Sequence, residues 1–549
     1  MMELADMRDL GSRAERRAGS TPVTRTNKHA EGGTIIVLLM RVFLFKELIM
    51  KRSCGILLPI SSLPSPYGIG TLGKAAYDFI DFLSSAGQGL WQMLPVGPTS
   101  YGNSPYQSFS TYAGNPYYID IDMLVEDGLL LSSELEGIDW GSNSGSVDYG
   151  KIYANRFEIL KKAADRGFKR DSAELGRFLS DNRSWLFDYS LFMALKRHFG
   201  MKAWFEWPDE NIRLHQPEAV DEYAELLHED IALFEYIQFL FYRQWNALHG
   251  YALEKGIKII GDLPIYVALD SADVWSCPEC FLLDEKNVPV EVAGVPPDFF
   301  NEDGQLWGNP LYDYEAMRRD GYGWWIRRID GASKLYDIIR IDHFRGFESF
   351  WAVPFGAKNA KDGHWVKGPG MDLVGRLTSW FSDVQFIAED LGLLTPEVHE
   401  LLEESGLPGM KVLEFAFDPD EPSNYLPHKY SPNCVCYVGT HDNAPVMAWL
   451  NDASRDELRF AERYLGLNDT EGFGWGMIRG GMSSVASFFI AQMQDYLGLG
   501  SEARMNIPGT NSGNWQWRLT DGQLTSELAA KIAELSKMYG RCANIGADN

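Results

Sequence analysis

Short apolar runs recur along this chain from residue 53 onward: SCGILLP (53–59), LWQMLPVGP (90–98), IKIIGD (257–262), DIIRID (337–342), VQFIAE (384–389), MKVLEF (410–415), CVCYVG (434–439) and RMNI (504–507). Each has the length of a buried strand, and a helical period over residues 75–86 separates the first two, so that stretch reads as βαβ. Eight such strands alternating with helical or irregular segments predict an α/β fold, a (β/α)8 barrel of TIM type. Its active site is then expected at the C-terminal ends of the strands. A doubly wound open sheet is the alternative, but no strand here runs into the G-x-G-x-x-G turn that such sheets use for phosphate.

The spacing of the runs is uneven, and the long gaps predict where the barrel is decorated. After the second strand, residues 124–250 carry amphipathic helical patterns over 153–164, 187–198 and 231–248, which predict a large helical insertion. After the third strand, residues 263–335 form a second insertion. It contains VPPDFFNEDGQLWGNPLY (295–312), read as a long ordered loop of the kind that covers active sites.

The head of the chain stands apart. Residues 1–33 are polar and basic, and TIIVLLMRVFLF (34–45) is shorter than the roughly 20 apolar residues that span a bilayer. No small-residue cleavage site follows it, so a signal peptide fits poorly. The expectation is an extension over 1–49, disordered or not native, with Met50 as the start of the native protein and the catalytic barrel over 50–549. The expected compartment is the cytoplasm, since six cysteines in 549 residues is no disulfide scaffold. Cys277 and Cys280 form a C-P-E-C pair without the second pair or the histidines that zinc usually takes.

The charge balance excludes some partners. With 50 Lys and Arg against 76 Asp and Glu, the net charge is −26, so nucleic acid and anionic membranes are repelled and a neutral or cationic ligand is favoured. The 17 tryptophans suit a flat polar ligand as well as a large core.

The densest cluster of chemistry is YDIIRIDHFRGFESFW (336–351). Side chains alternate along a strand, so Arg340 and Asp342 share a face, and a guanidinium beside a carboxylate is expected to lower its pKa. Asp262, Asp342, Glu389 and Asp442 all fall at or just past predicted strand ends. One such acid is readily explained as a helix cap; four converge in one mouth. A carboxylate beside a carboxylic acid is the equipment for glycosidic bond cleavage, with retention when the two groups are about 5 Å apart. His343 and His441 adjoin two of these acids and read as hydroxyl or carboxylate partners. A metal hydrolase built on two carboxylates and two histidines is the rival chemistry, though it lacks H-x-H or H-E-x-x-H spacing.

The series ILLPISSLPSPYGIGTLG, YGNSPYQSFSTYAGNPYYID, GDLPIYVALDSADVW, GVPPDFFNEDGQLWGNPLY, RIDHFRGFESFW, IAEDLG, GTHDN and MNIPGTNSGNW resembles the amylomaltase or disproportionating-enzyme family, the 4-α-glucanotransferases of the α-amylase clan, over about residues 51–549. The resemblance implies transfer of a 1,4-α-glucan segment to glucose or another glucan, through a covalent glycosyl-enzyme and without metal or cofactor. It further implies that Asp342 is the nucleophile, Glu389 the general acid/base and Asp442 the acid that binds and distorts the ring. Arg340 orients Asp342; Asp262, His343 and His441 contact the same sugar; and Tyr101, Phe299 and Phe300 are aromatic glucan contacts. Ala444 and Pro445 depart from the family's commoner acid and hydroxyl residues, which leaves acceptor-side detail open. A glucan hydrolase shares all these acids; a non-catalytic glucan-binding protein would be expected to lack some of them.

Overall fold

The computed structural model describes residues 51–297, 302–392, 394–420, 423–510 and 512–543. The expectations for residues 1–49 and for Phe299 and Phe300 lie outside the described residues, as does the side chain of Tyr101. Eight strands are parallel: β1 (Ser53–Leu57), β2 (Leu90–Gln92), β3 (Lys258–Pro264), β6 (Ile338–Asp342), β9 (Gln385–Ala388), β10 (Gly409–Val412), β11 (Cys434–Tyr437) and β12 (Phe488–Gln492). Four more are antiparallel: β4 (Glu291–Val295), β5 (Gln305–Pro310), β7 (Ser349–Pro354) and β8 (His364–Lys367).

The parallel strands run in the order β10-β11-β12-β1-β2-β3-β6-β9. The two outer strands approach each other where the Ala388 N–H donates to the Pro408 carbonyl at 2.9 Å, so the sheet is nearly closed as a barrel. Helices cover the outside and side chains fill the inside, which is why these strands read as continuous apolar runs rather than alternating ones. Ile56, Ile259, Ile260, Ile338 and Ile339 are all fully buried, each contributing on the order of 1.5–3 kcal/mol through lost apolar surface.

Seven of the eight predicted runs fall on barrel strands. The eighth does not. Residues 504–507 form an irregular loop, and the closing strand is β12, which is buried along its whole length and passes directly into the helix Met493–Leu497. A short apolar run continuous with a helix carries no period of its own, whereas RMNI mimics a strand by the alternation of Met505 and Ile507.

Between β2 and β3 lie the helices Tyr149–Arg170, Leu186–His198 and His228–Glu254, each extending past its predicted core. The longest also fastens the chain that follows β2. Gln238 and Gln244 lie six residues apart on it, and each makes a two-way amide bond with the backbone after β2. Gln238 pairs with Gly114 N–H and carbonyl at 2.8 and 2.9 Å, and Gln244 with those of Asp120 at 2.7 and 3.0 Å. Gly114 is required there, because a Cβ would fall 2.0 Å from the Phe241 ring.

Residues 295–312 are not the expected loop along their whole length. β5 occupies 305–310 and pairs with β4, and with β7 and β8 they make a four-stranded sheet in the order β5-β4-β7-β8. The Pro, Gly and Asn content of this stretch signals turns, and it masks a local antiparallel pairing in which Val295 faces Gln305.

Candidate active site

The site is founded on the ladder between β3 and β6. Asp262 is the register partner of Arg340, and Pro264 that of Asp342. Arg340 is buried, and its Nη1 donates to both carboxylate oxygens of Asp262 at 2.7 Å and to Oδ1 of Asp342 at 2.9 Å. The guanidinium Nε meets Met410 Sδ at 3.3 Å across the barrel interior. Asp342 keeps 28 % of its side chain exposed, while that of Asp262 has none.

The next residue turns the chain. His343 has φ 53°, in the left-handed region that costs a non-glycine residue on the order of 1 kcal/mol. Its N–H donates to Glu389 Oε2 at 2.7 Å, and Leu391 N–H donates to Oε1 at 2.7 Å. The nucleophile candidate on β6 and the acid candidate after β9 are therefore tied through one peptide unit.

Burial raises both carboxyls, and their mutual repulsion raises Glu389 further. Asp342 is pushed up to about 6 by desolvation, with Arg340 opposing and Asp262 adding. Glu389 goes to about 8, by desolvation first and the Asp342 charge second, against the pull of Arg340 and its two backbone donors. The expected net lowering of Asp342 by Arg340 is thus corrected. Arg340 does pull it down, but desolvation outweighs the pull, and the same nitrogen is shared with Asp262. Near neutral pH the arrangement favours an ionised Asp342 beside a protonated Glu389. His343 is lowered to about 3 by burial and then by Arg345, so its ring, edge-on to Trp307 at 4.8 Å, is neutral.

The other acids join through Tyr106. Its hydroxyl donates to Asp262 Oδ2 at 2.8 Å and sits 2.9 Å from His441 Nε2, with the two rings stacked at 5.2 Å. Since the hydroxyl proton goes to the carboxylate, Nε2 of His441 carries the proton of the second bond. His441 Nε2 lies 3.4 Å from Asp442 Oδ1. That oxygen also accepts from Asn506 Nδ2 at 2.6 Å, and Arg504 fastens the two segments by donating to the carbonyls of Asp442 at 2.7 Å and Asn506 at 2.8 Å. One connected chain of polar contacts thus runs from Asp342 through Arg340, Asp262, Tyr106 and His441 to Asp442.

A cavity of about 670 Å³ opens above this chain, within the range of roughly 300–1,000 Å³ typical of ligand sites. Asp342, His343, His441 and Asp442 line it, while Glu389 (9 % exposed) and Asp262 sit buried behind that lining. Its walls include Trp307 of β5 and Asn506 and Trp515 of the loop after β12. Ala444 and Pro445 do not line it; Pro445 caps the helix Val446–Asp452. Tyr106, Trp307, Arg504 and Asn506 were not singled out by sequence reasoning, although each lies inside a motif quoted above or next to one. An aromatic or amide residue in such a motif carries no sign of which side chain turns inward.

Barrel and site together define a carbohydrate-active (β/α)8 enzyme. A family model described as 4-alpha-glucanotransferase matches residues 58–525. The chain is 49 % identical over 485 residues to a 4-alpha-glucanotransferase of Clostridium butyricum, covering 88 % of this chain and 99 % of that protein. It is 47 % identical over 504 residues to one of Thermus thermophilus, covering 90 % and 99 %. The amylomaltase of Streptococcus agalactiae, solved in complex with acarbose, superposes with a TM-score of 0.88 at 41 % identity, covering 90 % of this chain and all of that one. The chain belongs to the 4-alpha-glucanotransferase family and is an enzyme of glycosyl transfer.

Proposed function

We propose that the enzyme moves a segment of a 1,4-α-glucan to the 4-OH of glucose or of another glucan by two displacements at one anomeric carbon. The observation that carries this reading is the geometry of two carboxyls: Asp342, held at one oxygen by Arg340 and facing the cavity, and buried Glu389, tied to the next residue by the His343 N–H. Arg340 occupies Oδ1 of Asp342, which leaves Oδ2 to attack C1 of the donor sugar. As that bond forms, the proton of Glu389 passes to the glycosidic oxygen, the bond from C1 to that oxygen breaks, and the leaving glucan departs with its new hydroxyl. The product is a glycosyl ester on Asp342. Glu389, now ionised, takes the proton of the acceptor 4-OH as that oxygen attacks C1 and expels Asp342, restoring both groups and the α configuration.

The remaining residues orient the sugar. Asp442 and neutral His343 face the cavity, with Trp307 and Trp515 supplying flat apolar surface for pyranose rings. His441 donates through Tyr106 toward Asp262 and keeps Arg340 in register. Tyr101, Phe299 and Phe300 are proposed as further glucan contacts. Acarbose bound by the Streptococcus agalactiae relative supports an oligosaccharide in this cavity. Neither displacement calls on a metal or an organic cofactor. The proposed location is the cytoplasm, on the low cysteine content of the sequence.

Incubating the protein with maltotriose and resolving products by chain length tests the proposal. Glucose together with longer maltooligosaccharides is expected. Shorter products alone mean hydrolysis on the same acids, and unchanged maltotriose overturns the assignment.

A further inference from the structure

The C-P-E-C segment takes no part in glucan chemistry as described above, yet it is built in a particular way. Cys277 is the N-cap of the 3-10 turn Pro278–Cys280, with Pro278 at its first position, and Cys280 N–H donates to the Cys277 carbonyl at 3.1 Å. A turn closed by this bond keeps its first and fourth Cα atoms within about 7 Å, a range that overlaps the roughly 4.4–6.8 Å that disulfides bridge. Cys277 is partly exposed, whereas Cys280 is buried. The remaining cysteines are placed otherwise. Cys54, Cys434 and Cys436 are buried, Cys434 and Cys436 lie on one face of β11, two residues apart along the strand, and Cys542 is the one other partly exposed thiol. Among the described residues no three His, Cys, Asp or Glu side chains gather to hold a metal, so the pair is not half of an assembled zinc site.

We propose that Cys277 and Cys280 form a redox-active dithiol that exchanges with low-molecular-weight disulfides, Cys277 being the attacking thiol and Cys280 the resolving one. The Cys277 thiol is held below its ordinary value chiefly by its neighbour Cys280, with Arg327 adding, against burial and the Glu279 and Asp273 charges; the Cys280 thiol is held above it. A thiolate at the accessible position and a protonated thiol behind it is the asymmetry that orders the two steps. In the first, the Cys277 thiolate attacks one sulfur of the disulfide, its S–S bond breaks, and one thiolate leaves and takes a proton. In the second, Cys280 gives its proton to solvent and attacks Cys277 Sγ, expelling the other half as a thiol. Two protein thiols are oxidised to one disulfide, and one small disulfide is reduced to two thiols. The turn hangs on the wall of the glucan cavity, since the Asp313 N–H donates to the Cys280 carbonyl at 3.0 Å and Leu282 to Leu311 at 2.8 Å, just beyond β5.

The test holds the reduced full-length protein in oxidised glutathione at about pH 7.5, quenches with acid, and maps the cysteine peptides by mass. The expected result is a 277–280 cross-link lacking two hydrogens, with Cys277 reacting at least about tenfold faster than Cys542. In Cys280→Ser the reaction should stop at a glutathione adduct on Cys277. A wild-type protein in which Cys542 is modified first, or in which Cys277 and Cys280 stay unlinked, overturns the proposal. So does a folded Cys280→Ser protein that carries no adduct on Cys277.

Discussion

Nη1 of Arg340 touches two acids at once, holding both oxygens of Asp262 at 2.7 Å and Oδ1 of Asp342 at 2.9 Å. A single buried nitrogen therefore sets the position of the proposed nucleophile against a strand two barrel positions away from the acid/base. Arg340→Ala should lower kcat for maltotriose transfer by at least about a thousandfold and should also lower Tm. It leaves Asp262 buried and Asp342 half-buried without their partner, and breaking the buried pair with Asp262 costs about 3–5 kcal/mol. Arg340→Lys restores a point charge without the planar fork and should fall between the two. Wild-type kcat in Arg340→Ala would remove Arg340 from the mechanism.

The pH dependence of kcat/KM should be bell-shaped. Activity rises as Asp342 loses its proton near 6 and falls as Glu389 loses its proton near 8. The two groups interact, so the limbs report the pair rather than either residue alone. Initial rates across about pH 4.5–9.5 at subsaturating donor check this; a rate still climbing at pH 9 would exclude Glu389 as a proton donor.

Glu389→Gln should abolish transfer and yet make the protein's stability less sensitive to alkali. The folded state holds the Glu389 proton up to about 8, against an ordinary 4.5, so between those values it binds more protons than the unfolded chain. The stability this provides is complete at low pH and is lost as pH rises through 8. Glutamine has no proton to lose, though its amide nitrogen cannot accept the backbone N–H that one Glu389 oxygen accepts. The variant's Tm relative to wild type should therefore rise by a few degrees between pH 5 and pH 9. A difference that stays constant with pH would mean that Glu389 is not raised.

Asn506→Ala removes the 2.6 Å bond to Asp442 Oδ1 while leaving the Arg504 bonds to both backbone carbonyls. The backbone stays in place and one carboxylate oxygen is released to rotate. The expected outcome is a drop in kcat of about ten- to a hundredfold, the range for losing a positioning hydrogen bond, with Tm within about 2 °C of wild type. A fall in Tm without a change in kcat would make the contact structural.

Much of this was legible before the structure. Strand-end acids at 262, 342, 389 and 442 follow from where apolar runs stop, and the parity of Arg340 and Asp342 from strand alternation alone. Three things were hidden, for different reasons. β12 blends into the following helix, so its period is masked, while the loop that mimicked it carries Arg504 and Asn506. Tyr106 shows nothing in sequence that separates it from Tyr101, since its role depends on Asp262 and His441 being brought from 156 and 335 residues away. The sign of the Asp342 shift was also beyond reach, because the spacing reveals the neighbouring guanidinium but neither the depth of burial nor the sharing of that guanidinium.

Asp262→Asn separates these contributions. Asp262 raises Asp342 directly by its charge, and it also occupies the nitrogen that Asp342 shares. Asparagine keeps an oxygen to accept from Arg340 and removes the negative charge, so both effects act in one direction: Asp342 feels less repulsion and a less neutralised guanidinium. The acid limb of the kcat/KM profile should move to lower pH. The alkaline limb, set chiefly by desolvation of Glu389 and by Asp342, should move much less. A weaker nucleophile follows from the lower basicity, so the plateau rate should fall even as the acid limb widens. If the acid limb stays in place, the charge of Asp262 is screened from Asp342, and Arg340 orients the nucleophile without tuning it.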